Sequence, residues 1–432
     1  MKQTLLYIAV SLATVACQRS SLHPTATRWE QLPIVAERGG DGEEALIVCH
    51  PEKMTDSIAL PLSYFVEDLE IVRLENRDEA YVRGSSVRIS DNYILVHSSR
   101  NVPFKLFDRK GRFLCTIGNS GNGRGNYGQV GDFQLDEKHG HIYLMPWNAT
   151  ELIVYNLQGH LLPPIPLNSP DERAWALPKA TFHVDGERRE VTVAVLPWTI
   201  NPRMAWVQDY EGHVLRQLPY NPYQLTRDYS SELYHLHNME AFEFSVLNFN
   251  PEREDTLFHY YPEENRLVPV FTLDFPDDRL QRHYHNELPR CFIGTLIGGM
   301  RETGFAQSES RDHINFIVDK CTLRGGRYRV YNDFLGNTDV YWLKQSRNGY
   351  YTRNLSPQML KTELEEALRR SDLTPAMRQK VSALSESIDI ERDNNYLMIG
   401  KLRRNLEAVR STPLGEINLP FVATDAKPRA ER

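Results

Sequence analysis

The sequence predicts an all-β fold, a six-bladed β-propeller with a C-terminal helical pair inserted before the ring-closing strand. Three observations predict it. From Leu60 onward, short segments of period-two alternation rich in Phe, Tyr, Val and Ile follow one another with turn residues between them, which is strand periodicity. These segments recur in fours, and a turn of the form Asp/Asn-x-x-Gly recurs with them. Helical periodicity is confined to two stretches near the end.

The first quartet is Ser86–Ser90, Tyr93–Ser98, Phe104–Asp108 and Arg112–Gly118. Its last two segments are joined by Asp108-Arg109-Lys110-Gly111, where Gly111 is free to take a positive φ. The second is Asp132–Asp136, Ile142–Trp147, Leu152–Asn156 and His160–Leu167, with Asn156-Leu157-Gln158-Gly159 in the matching turn 48 residues later. A third turn stands at Asp209-Tyr210-Glu211-Gly212, before Val214-Leu215. Four-strand repeats of this length are propeller blades. Ala241–Phe275 and His313–Leu343 supply two further strand-rich units, with Arg279 to Gly304 expected as a long loop between them. Spread over Glu67 to Arg403, six blades average about 56 residues, against roughly 40–50 for compact propeller repeats, so six blades with insertions fit better than seven.

Ser356-Pro357 and Thr374-Pro375 are helix starts, an N-cap followed by Pro at the first helical position. Leu360, Leu364, Ala367 and Leu368 form one apolar stripe, and Met377, Val381, Leu384 and Ile388 another. The pair is expected to brace the sheet body over about 356–388. Tyr396 to Leu402 then returns to strand character, and pairing with Leu69–Leu74 would close the ring and hide an edge.

The N-terminus reads as an address. Residues 1–16 carry one cation, Lys2, and then an apolar stretch from Leu5 that is too short to span a bilayer. Thr14-Val15-Ala16-Cys17 resembles a bacterial lipobox, with Thr14 where that pattern usually has Leu, and so implies lipidation at Cys17. Residues 17–59 are expected to form the anchored segment and linker, 60–403 the propeller, and 404–432 a tail. Acyl chains would be the anchor, at about 0.8 kcal/mol per buried methylene. Without an acidic run after Cys17, a periplasmic-facing anchor is the expectation. Cys49, Cys115, Cys291 and Cys321 are widely spaced with no C-x-x-C pair, which is neither a zinc framework nor a disulfide scaffold.

Of 432 residues, 41% are apolar and 25% charged, which fits a folded body. Lys and Arg number 50 against 57 Asp and Glu, a net charge of −7 with the basic residues scattered. That balance argues against a nucleic-acid partner.

Leu60-Pro61-Leu62-Ser63 through Leu74-Glu75, the two Gly turns, Gly121-Asn122-Gly123-Arg124-Gly125-Asn126-Tyr127 and the ending Asn394-Asn395-Tyr396-Leu397 together resemble a family of bacterial six-bladed β-propeller lipoproteins related to NHL repeats. The resemblance implies the propeller and an envelope location, and it carries over no reaction and no catalytic residue.

Gly123 to Gly128 matches the letters of G-x-G-x-x-G, but strands follow it where a dinucleotide site needs a helix, so an inter-blade loop is expected. His235 with His237, and His283 with His285, would each place two imidazoles on one strand face, half of a metal site. Glu232, Glu240 and Glu287 are near in sequence, yet no further ligand is fixed. Ordinary polar loop histidines are therefore expected, with no metal and no cofactor. Propeller topology places the loops carrying Arg100, Arg124, Tyr127, Trp147, Asn148, Trp198 and Asn201 on one rim. Aromatic faces beside amide and guanidinium donors suit a glycan or peptide. The expected function is a non-catalytic, envelope-anchored binding or scaffold module for a protein or glycan partner. The alternative is a propeller enzyme acting as a carbohydrate or lactone hydrolase or lyase, with a metal in its channel.

Overall fold

The computed structural model describes residues 29–40, 45–83, 86–98, 102–121, 123–147, 149–169, 180–198, 203–218, 232–247, 256–276, 283–297, 313–340 and 346–404. Six antiparallel sheets follow one another as the blades of a ring. Blade one is Ser86–Ile89, Tyr93–His97, Phe104–Asp108 and Phe113–Ile117. Blade two is Val130–Asp136, His141–Pro146, Glu151–Asn156 and Ile165–Pro166. Blade three is Thr181–Asp185, Glu190–Ala194, Ala205–Asp209 and Val214–Gln217. Blade four runs from Glu232–Tyr234 through Phe242–Leu247 and Thr256–Tyr261 to Arg266–Leu273. Blade five is His283–Glu287, Cys291–Ile297, His313–Asp319 and Gly325–Asn332, with Thr338–Val340 beyond. Two of its strands occupy the stretch expected as a long loop. The turn that joins them, Leu288 to Arg290, holds no glycine and so hides the hairpin from a search for Gly turns.

Period-two alternation has a direct consequence in this ring. In Tyr93–His97, Ile94 and Val96 enter the core shared with blade six, the sheet of Tyr350–Leu355, Tyr396–Lys401 and Glu70–Arg73, while Leu95 enters the core shared with blade two. In His141–Pro146, Ile142 and Leu144 face blade one while Tyr143 and Met145 face blade three. Each sheet is buried on both faces, which is why its strands read as nearly continuous apolar runs.

The repeated turns are built alike. Asp108 Oδ1 accepts from Lys110 N–H and Arg112 N–H, each at 2.9 Å. Asn156 Oδ1 accepts from Gln158 and His160 at 3.0 and 2.9 Å, and Asp209 Oδ1 from Glu211 and His213 at 3.0 and 2.8 Å. The side chain replaces a backbone acceptor, and the glycine at the fourth position has φ of +79°, +80° and +88° in turn.

Helices α1 (Pro357–Leu368) and α2 (Pro375–Glu386) start as the caps require. Ser356 Oγ accepts from Met359 N–H and Thr374 Oγ1 from Met377 N–H, each at 3.2 Å. Leu360, Leu364, Ala367 and Val381 are buried against blades five and six. The pair lies between two strands of blade six, Tyr350–Leu355 and Tyr396–Lys401. Tyr396 to Ile399 then pairs antiparallel with Arg73 to Glu70, closing the ring with a strand from the other end of the chain. Upstream, Ile47–Cys49 adds in parallel to the outer edge of blade four and Ser57–Pro61 to that of blade five. The four cysteines Cys49, Cys115, Cys291 and Cys321 are free thiols.

Candidate functional site

The first strands of the blades gather about the ring axis, where those of blades six, one, two and three adjoin in turn. Their inward side chains carry the unusual polarity of this protein. Arg88 of blade one, Asp132 of blade two and Thr181 of blade three are all buried. His183 of the same blade-three strand is open to a cavity. His235 and His237 follow the first strand of blade four, and Arg347 precedes that of blade six.

Asp132 is the hub. Its Oδ1 accepts from Phe133 N–H at 2.8 Å and from Arg88 at 3.3 Å. Its Oδ2 accepts from Thr181 Oγ1 and from His235 Nε2, each at 2.9 Å, and from Phe182 N–H at 3.4 Å. Burial alone would raise this carboxyl, but His235 and Arg88 outweigh it and hold Asp132 well below the usual carboxylate range. Burial pushes His235 down despite Asp132, and pushes His237 further down with help from His235 and His183. A neutral His235 donates from Nε2 to Asp132, which leaves Nδ1 as a lone pair, buried and without a hydrogen-bond partner.

The site carries net positive charge. Burial and then Arg347 lower Arg88 to about 9, so it remains a cation at neutral pH. Arg347 sits 5.3 Å from the ring centroid of Tyr234 and forms no ion pair among the described residues. Asp132 pairs with Arg88, and Arg347 adds a second cation close enough to repel that guanidinium. Alongside lies a cavity of about 330 Å3, walled by Phe133, Phe182, Phe242, Gln134, His183, His237 and the carboxylate of Glu240 among others, with Arg88 and Arg347 behind that wall and not in it. His237 reaches it with a φ of +54°, a left-handed conformation that is uncommon for a side chain of this size.

A second cluster stands between blades four and five. Glu243 and His259 are cross-strand partners in blade four, and Glu287 ends the first strand of blade five. Glu287 accepts from His259 Nε2 at 2.6 Å and from the Lys320 ammonium. Burial and then Glu287 raise the Glu243 carboxyl. The expectation of polar loop histidines is corrected at His283 and His285, which lie on the first strand of blade five at 6% and 0% exposure, while His235 does lie in the loop after the first strand of blade four and is buried there at 7%. First strands face the axis, so their polar residues are enclosed by neighbouring blades rather than by water.

The rim residues fare differently. Tyr127 is buried between blades one and two, accepting from Phe104 N–H at 2.9 Å and donating to the Ile117 carbonyl. Trp198 is buried between blades three and four. Trp147 is half-buried and Arg124 exposed, and none of these four lines the cavity. Cys17, Arg100, Asn148 and Asn201 lie outside the described residues. Arg88, Asp132, His183, Arg347, Glu243 and His259 went unnoticed in the sequence. The signal available was the repeat phase, since a charge in the first strand of a quartet points at the axis.

This ring is the architecture of a propeller with an axial polar site. The chain belongs to the DUF4934 family, a domain of unknown function whose model matches residues 46–401. No curated protein matches the sequence. Among solved structures, it is similar to a protein of Bacteroides fragilis described as exported, at 15% identity and a TM-score of 0.50, covering 80% of this chain and 99% of that one. It is similar to a member of the DUF4221 family from Bacteroides vulgatus at 11% identity and a TM-score of 0.44, covering 78% and 97%. It also resembles a periplasmic gluconolactonase of Pseudomonas aeruginosa at 12% identity and a TM-score of 0.33, covering 56% and 67%. At these identities the first likeness speaks to the fold alone.

Proposed function

We propose that this propeller is a non-catalytic binding module of the bacterial envelope, tethered by lipid at Cys17, whose axial cavity takes an acidic sugar at the end of a glycan. The observation that carries the reading is an excess of cationic charge, Arg88 paired with Asp132 and Arg347 without an ion pair among the described residues, next to a cavity with phenylalanine faces that Asn348, the neighbour of Arg347, helps to line. An anion entering there completes the charge balance, and arginine suits a carboxylate because its planar fork donates to both oxygens. Phe133, Phe182 and Phe242 offer apolar faces for a pyranose ring, and a volume of about 330 Å3 suits one such residue. Titration calorimetry with glucuronate, galacturonate and glucose tests it. Uronates are expected to bind while glucose does not, and Arg347→Gln is expected to weaken uronate binding about tenfold or more, the worth of one charged hydrogen bond. Equal binding of glucose, or an unchanged Arg347→Gln, would overturn the reading. The tether predicts that Cys17→Ser releases the protein from membranes in a fractionation.

One feature favours a second reading, a sugar-lactone hydrolase. Asp132 orients His235 so that its bare Nδ1 stands ready as a general base for water. Lactone turnover that disappears in His235→Gln while uronate binding persists would favour it over the binding module.

A further inference from the structure

We propose a divalent transition-metal site, of the kind that takes Zn2+, formed by Glu243, His259 and Glu287 at the seam between blades four and five. It is independent of the axial reading. One donor atom from each residue lies within 4.8 Å of the other two. Tetrahedral ligands at zinc distances stand about 3.4 Å apart, so small side-chain rotations bring these donors into place. Glu243 and Glu287 are each 2% exposed. Glu243 Oε1 accepts from Asn238 N–H at 3.1 Å, whereas its Oε2 is buried and has no hydrogen-bond partner. Glu243 and Glu287, though not His259, line a cavity of about 10 Å3 that His235 also borders, the room a single water needs.

Charge decides which cluster takes a cation. Asp132, His235 and His237 also bring three donors within 4.8 Å. There, however, two arginines leave the surroundings positive, and both Asp132 oxygens already accept, so that no carboxylate oxygen is bare as Glu243 Oε2 is. At the seam, two carboxylates face one ammonium, Lys320, so with both ionised the balance is negative. A cation would occupy the bare oxygen of Glu243 and relieve its repulsion with Glu287. One nitrogen and two carboxylates with space for one water match zinc better than calcium or magnesium, which demand six or more oxygens. The metal would tie the second and third strands of blade four to the first strand of blade five.

The test uses the full chain without a histidine tag. It is treated with a chelator, dialysed and titrated with ZnCl2 by calorimetry, and its melting temperature is followed. One equivalent is expected to bind and to raise the melting temperature by several degrees, since an ion held only by the native state stabilises it. Glu243→Gln keeps the shape and removes the charge. It is expected to fold, with a melting temperature at or above that of the metal-free wild type, and to bind zinc at least about 100-fold more weakly. His237→Asn, at the axial cluster, is expected to leave zinc stoichiometry and affinity unchanged. No stoichiometric zinc binding, or a zinc response that survives in Glu243→Gln or is lost in His237→Asn, would overturn the proposal.

Discussion

Asp132 accepts from a guanidinium, a hydroxyl, an imidazole and two backbone amides. Its replacement by Asn keeps the volume but leaves Arg88 buried without a counter-charge, an arrangement that costs about 3–5 kcal/mol. Asp132→Asn is accordingly expected to lower the chemical-denaturation midpoint far more than a surface Asp→Asn does. Acid acts on the same cluster with a definite sign. His183, His235 and His237 are held below their ordinary value of 6.5, so below that pH the unfolded chain binds protons that the folded chain refuses. Stability is then full above pH 6.5 and falls as pH drops towards the folded values, by up to about 1.4 kcal/mol per pH unit for His235 and for His237 and by less for His183, whose charge solvent screens. His237→Asn removes one of them, and Asn tolerates the positive φ there. Melting curves between pH 7 and 5 should show a shallower decline in this variant, and an unaltered slope would mean that His237 titrates alike in both states. His235 and His237 were visible in the sequence as a pair on one face. Their meaning was not, because Asp132 comes from blade two and Arg88 from blade one and no local spacing announces them.

At the scale of elements, the sequence was most legible where one residue enforces one geometry. The Asp/Asn-x-x-Gly turns set both the hairpins and the blade period, and Pro after Ser or Thr marked both helix starts. In blade five the later strands fall in the expected unit His313–Leu343, and only the first hairpin, which lacks such a turn, was missed. The turns also make a graded prediction. At Gly111, with φ of +79°, an added Cβ would meet the Arg73 carbonyl oxygen at 2.2 Å, and that backbone belongs to Glu70–Arg73, the strand on which the ring closes. At Gly212 the nearest atom, the Pro166 carbonyl oxygen, lies at 3.4 Å. Gly212→Ala therefore meets mainly the left-handed backbone penalty of about 1–2 kcal/mol, while Gly111→Ala must also displace a strand. Denaturation midpoints should fall in both, and clearly further for Gly111→Ala; the reverse order would contradict these contacts. In the helices, Ser356→Ala and Thr374→Ala each remove a cap worth about 1 kcal/mol. The caps sit on different helices and share no partner, so the double variant should lose about the sum.

The whole molecule behaves as a ring because no blade owns a core. Each of the six apolar clusters is shared by neighbouring blades, so opening one seam uncovers a face on both sides of it. An open repeat array frays from its ends, and a closed one has no ends to fray. Closure rests on Glu70 to Arg73 pairing with Tyr396 to Ile399, and beside it Asn394 is fully buried. Asn394 Oδ1 accepts from Val82 and Asn395 amides at 3.2 and 2.8 Å, and its Nδ2 donates to the Glu75 and Ala80 carbonyls at 3.0 and 2.8 Å. All four hydrogen-bonding capacities of the amide are used, and nothing in the sequence apart from a resemblance at the chain's ending marked it. Asn394→Ala strands buried backbone groups and should cost about 3 kcal/mol or more. Blade three stands across the ring from this seam, and the amides of Glu190 to Ala194 pair on both sides there. If the ring unfolds as one unit, hydrogen exchange in that strand, measured by mass spectrometry under conditions where exchange requires global opening, accelerates by the same factor as exchange in Tyr396 to Lys401. Acceleration confined to blade six would show instead that the seam opens locally while the remaining blades keep one another folded.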